Sequence, residues 1–98
     1  RFILVLGGSG FGVRNYAPEV VRSIVEVEIP GIAEQIRAHG LANTPLSGLS
    51  REVVGVTARD SSGALIISSP GSRGGALDTL EVVTPLLPAI FHQLDEQR

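Results

Sequence analysis

A chain of 98 residues, 43% hydrophobic and 18% charged, has enough surface to bury one modest core, which excludes a multidomain machine. Eight cations against ten acids give a net charge of −2 with no basic block, so nucleic acid is not an expected partner. Every cation is an arginine and there is no cysteine, which excludes a Walker A lysine, Schiff-base chemistry, disulfides and thiolate metal sites, and is compatible with a reducing cytoplasm.

Phe2 to Leu6 is an apolar run that breaks into Gly7-Gly8-Ser9-Gly10, the pattern of a central strand covered on both faces and followed by a glycine bend. Pro18 suits a first helical position, Ala17 before it is a poor N-cap, and Val21, Ile24, Val25 and Glu28 mark a helix of about three turns. Pro30 to His39 forms a second helix, with Ile32, Ala33 and Ile36 on one stripe and Gly40 to stop it. Leu41 to Leu49 reads as a loop. Val53–Thr57 and Ala64–Ser68 are strands joined as a hairpin through the polar turn 58–63, with Asp60 a turn residue.

A second bend, Ser69 to Gly75, opens a helix with Ala76, Leu77 and Leu80 inward. Thr84 caps a last helix, in which Leu86, Leu87, Ile90, Phe91 and Leu94 are buried while His92, Gln93, Asp95, Glu96 and Gln97 face water. Pro85 fits that helix's first position, and Pro88 delays or bends its start. The order of elements is α/β, with glycine bends at strand-to-helix turns, where open sheets hold ligands. The longest apolar run is far below the roughly 18–20 residues of a bilayer span. There is no methionine, and Arg1 leads directly into a strand. The chain is therefore read as the carboxy-terminal part of a longer domain.

Two constellations have chemical content. Gly7, Gly8, Ser9 and Gly10 allow close backbone approach and form either an anion nest or a tight turn. They match neither a dinucleotide fingerprint, because Val13 occupies the third glycine position, nor a nucleophile elbow, because Phe11 stands two residues after Ser9. Pro70, Gly71 and Ser72 precede a helix whose first turn holds Arg73, Gly74 and Gly75. That turn is either a phosphate or carboxylate site or a serine-capped helix with a surface arginine. Ser50 and Arg51 lie within reach of the same region. Glu26, Glu28 and Glu34 read as solvent faces of helices. His39 and His92 lack any metal-ligand spacing, so no metal site and no catalytic histidine is assigned.

Taken in order, Gly7-Gly8-Ser9-Gly10, Arg14-Asn15, Ala17-Pro18-Glu19, Leu49-Ser50-Arg51 and Pro70-Gly71-Ser72 resemble the molybdopterin adenylyltransferase family of molybdenum-cofactor biosynthesis proteins and the molybdopterin-binding domain of gephyrin. The resemblance implies a three-layer α/β/α domain with a mostly parallel sheet, a homotrimeric cytoplasmic protein, and adenylylation of molybdopterin with ATP and Mg2+. Gly7, Gly8, Ser9, Gly10, Ser50, Arg51, Pro70, Gly71 and Ser72 would bind substrate. Asn15 stands where the family has a catalytic Asp, and an amide neither carries negative charge nor holds Mg2+ as well as a carboxylate. Ala17 replaces a family threonine and removes a helix cap, and a further functional Asp belongs to the missing amino-terminal portion. A non-catalytic pterin-binding or scaffold homologue is the alternative. A more distant relative is the similar domain of competence-damage proteins.

Overall fold

Strand β1 (Phe2–Leu6) lies in parallel beside β4 (Leu65–Ser69), with Phe2 opposite Leu65 and Leu6 opposite Ser69. The computed structural model describes residues 1–96; Gln97, expected on a solvent face, lies outside them. The four-stranded sheet has the order β1-β4-β3-β2, where β2 is Val27–Glu28 and β3 is Val54–Val56. The expected hairpin is the antiparallel β3–β4 pair. The β2–β3 pair is also antiparallel, so among the described residues parallel pairing is confined to β1–β4.

Helix α1 (Ala17–Ile24) covers one face, where Val21 packs with Val53 and Ile66. The other face carries α2 (Pro30–Gly40), α3 (Arg73–Val83) and α4 (Leu87–Asp95) over a core that includes Ile32, Ile36, Val54, Leu65, Ile67, Val83 and Leu94. The result is the α/β/α layering expected. Both glycine bends fall at the same end of the sheet, because each follows one of the two parallel strands.

Several local expectations are corrected. Strand β1 is an edge strand rather than a central one, with Ile3 46% and Leu6 60% exposed. The first helix ends at Ile24, because Val25-Glu26-Val27-Glu28 has the alternation of a strand and turns extended at Val25. Glu26 and Glu28 therefore lie off any helix, Glu26 accepting from the Arg59 amide and Glu28 pairing with Arg22. Tyr16, not residue 17, takes the cap position of α1. Ala17 is already helical and donates its amide to the Gly8 carbonyl, so a threonine at 17 would not cap this helix. Part of the loop after α2 is a 3-10 turn, Pro45–Leu49, capped by Thr44.

The inward face of α3 is also different. Leu77 and Leu80 are exposed, whereas Asp78, Thr79 and Val83 are buried. Polar partners beneath the helix, Glu52, Ser69 and Asn43, make the polar stripe the inner one. Thr84 does not cap the start of the last helix: it is the C-cap of α3, has helical angles and starts a 3-10 turn, Thr84–Leu86, that joins α3 to α4 around Pro85 and Pro88. The late start of α4 at Leu87 agrees with the effect expected of Pro88. The continuous helical stretch Arg73–Asp95, with 23 residues and mean hydropathy 1.2, is long and apolar enough in composition to cross a bilayer, which the short apolar runs did not foretell. Its Val83, Leu86, Ile90 and Leu94 pack on the sheet, so here it is a covering layer.

Candidate functional site

The first bend is shaped by Gly7 and Gly8, whose φ values of +89° and +68° lie in the left-handed region that side-chain-bearing residues avoid. Its exit is tied down by one side chain. Arg51 donates from Nε to the Gly10 carbonyl (2.8 Å), from one terminal nitrogen to the Asn15 carbonyl (2.8 Å), and through both terminal nitrogens to the Glu19 carboxylate (2.7 and 3.2 Å). Its own amide donates to the Ser9 carbonyl at 2.8 Å. These bonds hold the Glu19 carboxyl below the ordinary carboxylate range. The planar five-donor fork is what allows one residue to span two carbonyls and a carboxylate.

The second bend is built differently. Ser72 caps α3, its hydroxyl accepting from the Gly75 amide at 3.1 Å while its carbonyl accepts from Ala76. The amides of Arg73 and Gly74 keep no protein acceptor among the described residues, at the positive end of the helix dipole. The two bends touch. The Gly7 amide donates to the Ser69 carbonyl at 2.9 Å, and a Cβ on Gly71 would stand 3.2 Å from the Gly7 Cα.

Between them opens a cavity of about 360 Å3, lined by Ser9 and Gly10 from the first bend, Pro70, Ser72, Gly74 and Gly75 from the second, and Ile36, Leu46, Leu49, Ser50, Glu52 and Asp78 around the walls. Such a volume is within the usual range for a small-molecule site. Glu52 is 6% exposed and accepts from the Thr79 hydroxyl at 3.1 Å. Burial pushes its carboxyl up to about 7, against the Thr79 hydrogen bond and the positive charge of Arg37. Asp78 accepts from the Asn43 side-chain amide at 3.1 Å. Behind Ser50 and Glu52 lies a second cavity, of about 340 Å3, lined also by Pro18, Arg22, Arg37 and Arg51. A larger groove of about 660 Å3 runs between β2 and α4, lined by Val27, Ile29, Ile90 and Gln93 among others. Its lining shares no residue with either bend.

Across the α2–α3 seam, His39 Nε2 lies 2.6 Å from Glu81 Oε2 and 3.6 Å from Asp78 Oδ1. The sequence showed no metal spacing, yet the fold brings these three donors within 4.8 Å of one another.

Residues 1–89 match the protein family described as "Probable molybdopterin binding domain". The chain belongs to the molybdopterin-binding domain family. The molybdopterin adenylyltransferase of Haemophilus influenzae is 36% identical over 83 residues, covering 85% of this chain and 40% of that protein. Among solved structures, the molybdopterin biosynthesis Mog protein of Mycobacterium ulcerans superposes with a TM-score of 0.86 at 35% identity, covering 95% of this chain and 59% of that one. The molybdopterin biosynthesis enzyme MoaB of Thermus thermophilus superposes at 0.77 with 39% identity, covering 97% and 60%. The chain thus spans less than two thirds of the length of each of these relatives.

Within this molybdopterin-binding domain, the structure brings Ser9, Gly10, Ser50, Pro70 and Ser72 to one cavity, leaves Gly7 and Gly71 in the seam between the bends, and sets Gly8 against Ala17 at the start of α1. Arg51 does not line that cavity; it faces the second one with its donors engaged. Asn15 also lies outside the cavity lining. Its side-chain nitrogen stands over Gly12, 2.6 Å from where a Cβ there would be. Glu52, Asp78 and Thr79 escaped sequence reasoning. The available signal was a lone acid directly after the Leu49-Ser50-Arg51 motif, and two polar residues at the inward spacing of α3.

Proposed function

We propose that this domain acts in molybdenum-cofactor biosynthesis, binding molybdopterin and adenylylating its terminal phosphate with ATP. The observation that carries the reading is the single cavity shared by the two bends, with the open amides of α3 at one end. The names of the relatives support the same chemistry. An oxygen of the molybdopterin phosphate attacks the α-phosphorus of ATP, the bond from that phosphorus to the bridging oxygen breaks, and pyrophosphate leaves. A phosphate nucleophile is already anionic at neutral pH, so the chain's task is to hold two anions together in line and to screen their repulsion.

Backbone amides at the start of α3 and in the first bend suit phosphate oxygens. Arg51 acts indirectly, fixing the first bend and α1. Mg2+, if bound, would supply positive charge that offsets the repulsion between the phosphates. Its preference for oxygen donors points to Asp78 in the cavity lining rather than to the neutral Asn15. By resemblance, the protein is a cytoplasmic homotrimer.

Asn15 favours a second reading, a molybdopterin-binding scaffold without turnover. The two separate by measured pyrophosphate release from ATP with molybdopterin present. Slow release by the chain, increased in Asn15→Asp, supports the enzymatic reading with an impaired residue. No release from either protein, with binding retained, supports the scaffold. Equal and robust release from both removes Asn15 from the account.

A further inference from the structure

Glu52 stands outside every motif that led to the family, and the phosphate chemistry gives it no task. Yet it is a carboxyl group 94% removed from solvent by its 6% exposure, and it lines the central cavity. A carboxylate accepts about four hydrogen bonds. Thr79 supplies at most one, and its single proton is contested by the Gly75 carbonyl at 3.0 Å and by Ser69 Oγ at 3.1 Å. Next to Glu52, the buried Ser50 hydroxyl favours the ionised carboxyl but makes no hydrogen bond of full geometry, alone in this among the side chains of the described residues. The cavity beside them is walled by Ile36, Leu46 and Leu49.

Under-satisfied acceptors in an apolar wall are costly unless something completes them. The complement of a carboxylate is a planar edge with two adjacent N–H groups, which binds in bidentate fashion. Among the described residues nothing offers that edge: Arg37 acts on Glu52 through its charge, with no hydrogen bond to it, and Asp78 repels it. A 2-amino-4-oxopyrimidine ring does offer it, through its 2-amino group and N3–H.

We propose that Glu52 is the specificity residue of this cavity, its carboxylate pairing with the 2-amino and N3–H edge of a pterin ring while Ser50 completes the contact. The inference rests on the reading that the cavity holds molybdopterin. It adds the orientation, with the ring's pyrimidine edge toward Glu52 and the phosphate toward the start of α3. A ring with a carbonyl in place of the 2-amino group turns an acceptor toward the carboxylate and is rejected, since a site that hydrogen-bonds a group discriminates strongly against its absence.

Calorimetry with 6-hydroxymethylpterin phosphate, its lumazine counterpart carrying a 2-oxo group, and inorganic pyrophosphate tests the assignment on the intact chain and on Glu52→Gln, which keeps the side chain's shape. The chain binds the pterin at least about tenfold more tightly than the lumazine. In Glu52→Gln that preference falls to about twofold. Equal binding of the two rings by the chain, or a preference that survives in the variant, overturns the role of Glu52. Binding of pyrophosphate with neither ring recognised overturns the molybdopterin reading itself, and this inference with it.

Discussion

The two glycine bends sit side by side at one end of the sheet but are held by different means. The first takes its path from two glycines at positive φ and is fastened by Arg51 to the Gly10 and Asn15 carbonyls and to Glu19. The second is ordered by a single serine cap and leaves first-turn amides unclaimed. A glycine-rich loop by itself thus does not show how a ligand is held. What matters is which polar groups remain unmatched once the fold has formed. In the first bend the arginine has matched the carbonyls and fixes the path by which Ser9 and Gly10 reach the cavity, while in the second the first-turn amides stay unclaimed beside it.

If that division is right, Arg51→Ala has the largest effect and confines it to the first bend. The Asn15 and Ala17 amides, which donate within that bend, then exchange with solvent on the order of 100-fold faster, while the Gly75 amide is unaffected. A uniform increase across both bends would remove the distinction. Gly71→Val comes next, because its side chain meets the Gly7 backbone rather than a flexible neighbour. We expect a loss of about 3 kcal/mol in chemical denaturation; a near-neutral result would mean that the bends do not press on one another.

Glu52 sharpens the comparison from below. Its pKa is raised in the folded chain, so the folded state binds the proton more tightly than the unfolded one. Stability is then fullest below the ordinary carboxylate range and declines as pH rises through about 7. Glu52→Gln abolishes this decline, making the variant about 2 kcal/mol more stable than the parent near pH 8 and little different near pH 4. Denaturation midpoints across that range decide it, and parallel curves would show that the carboxyl is not penalised by burial. Ser72→Ala has the smallest effect, about 1 kcal/mol from the lost cap, again read from denaturation midpoints. A loss of 3 kcal/mol or more, equal to that at Gly71, would place the serine among the scaffold groups.

Much of this arrangement is legible in the residue order. The run Phe2–Leu6 before four residues containing three glycines, the stripe of α2, the β3–β4 hairpin and the Ser72 cap all follow local rules, and the structure keeps them. What escapes is decided at long range. Val25 to Glu28 alternates like a strand, but only the free edge of β3 makes it one. The inner face of α3 is polar because Glu52, Ser69 and Asn43 wait beneath it, and no periodicity in α3 alone can reveal partners drawn from three other segments. Arg51 reads as a ligand contact in sequence because its spacing from Gly10 and Glu19 is visible only after folding. His39 meets Glu81 across 42 positions for the same reason.

Both bends are expected to serve one ligand. Heteronuclear NMR of the labelled chain titrated with 6-hydroxymethylpterin phosphate tests it most directly. The amide signals of Ser9 and Gly10 on one side, and of Gly74 and Gly75 on the other, should shift together along one saturation curve with a single Kd. Shifts confined to one bend, or two curves with different midpoints, would contradict it.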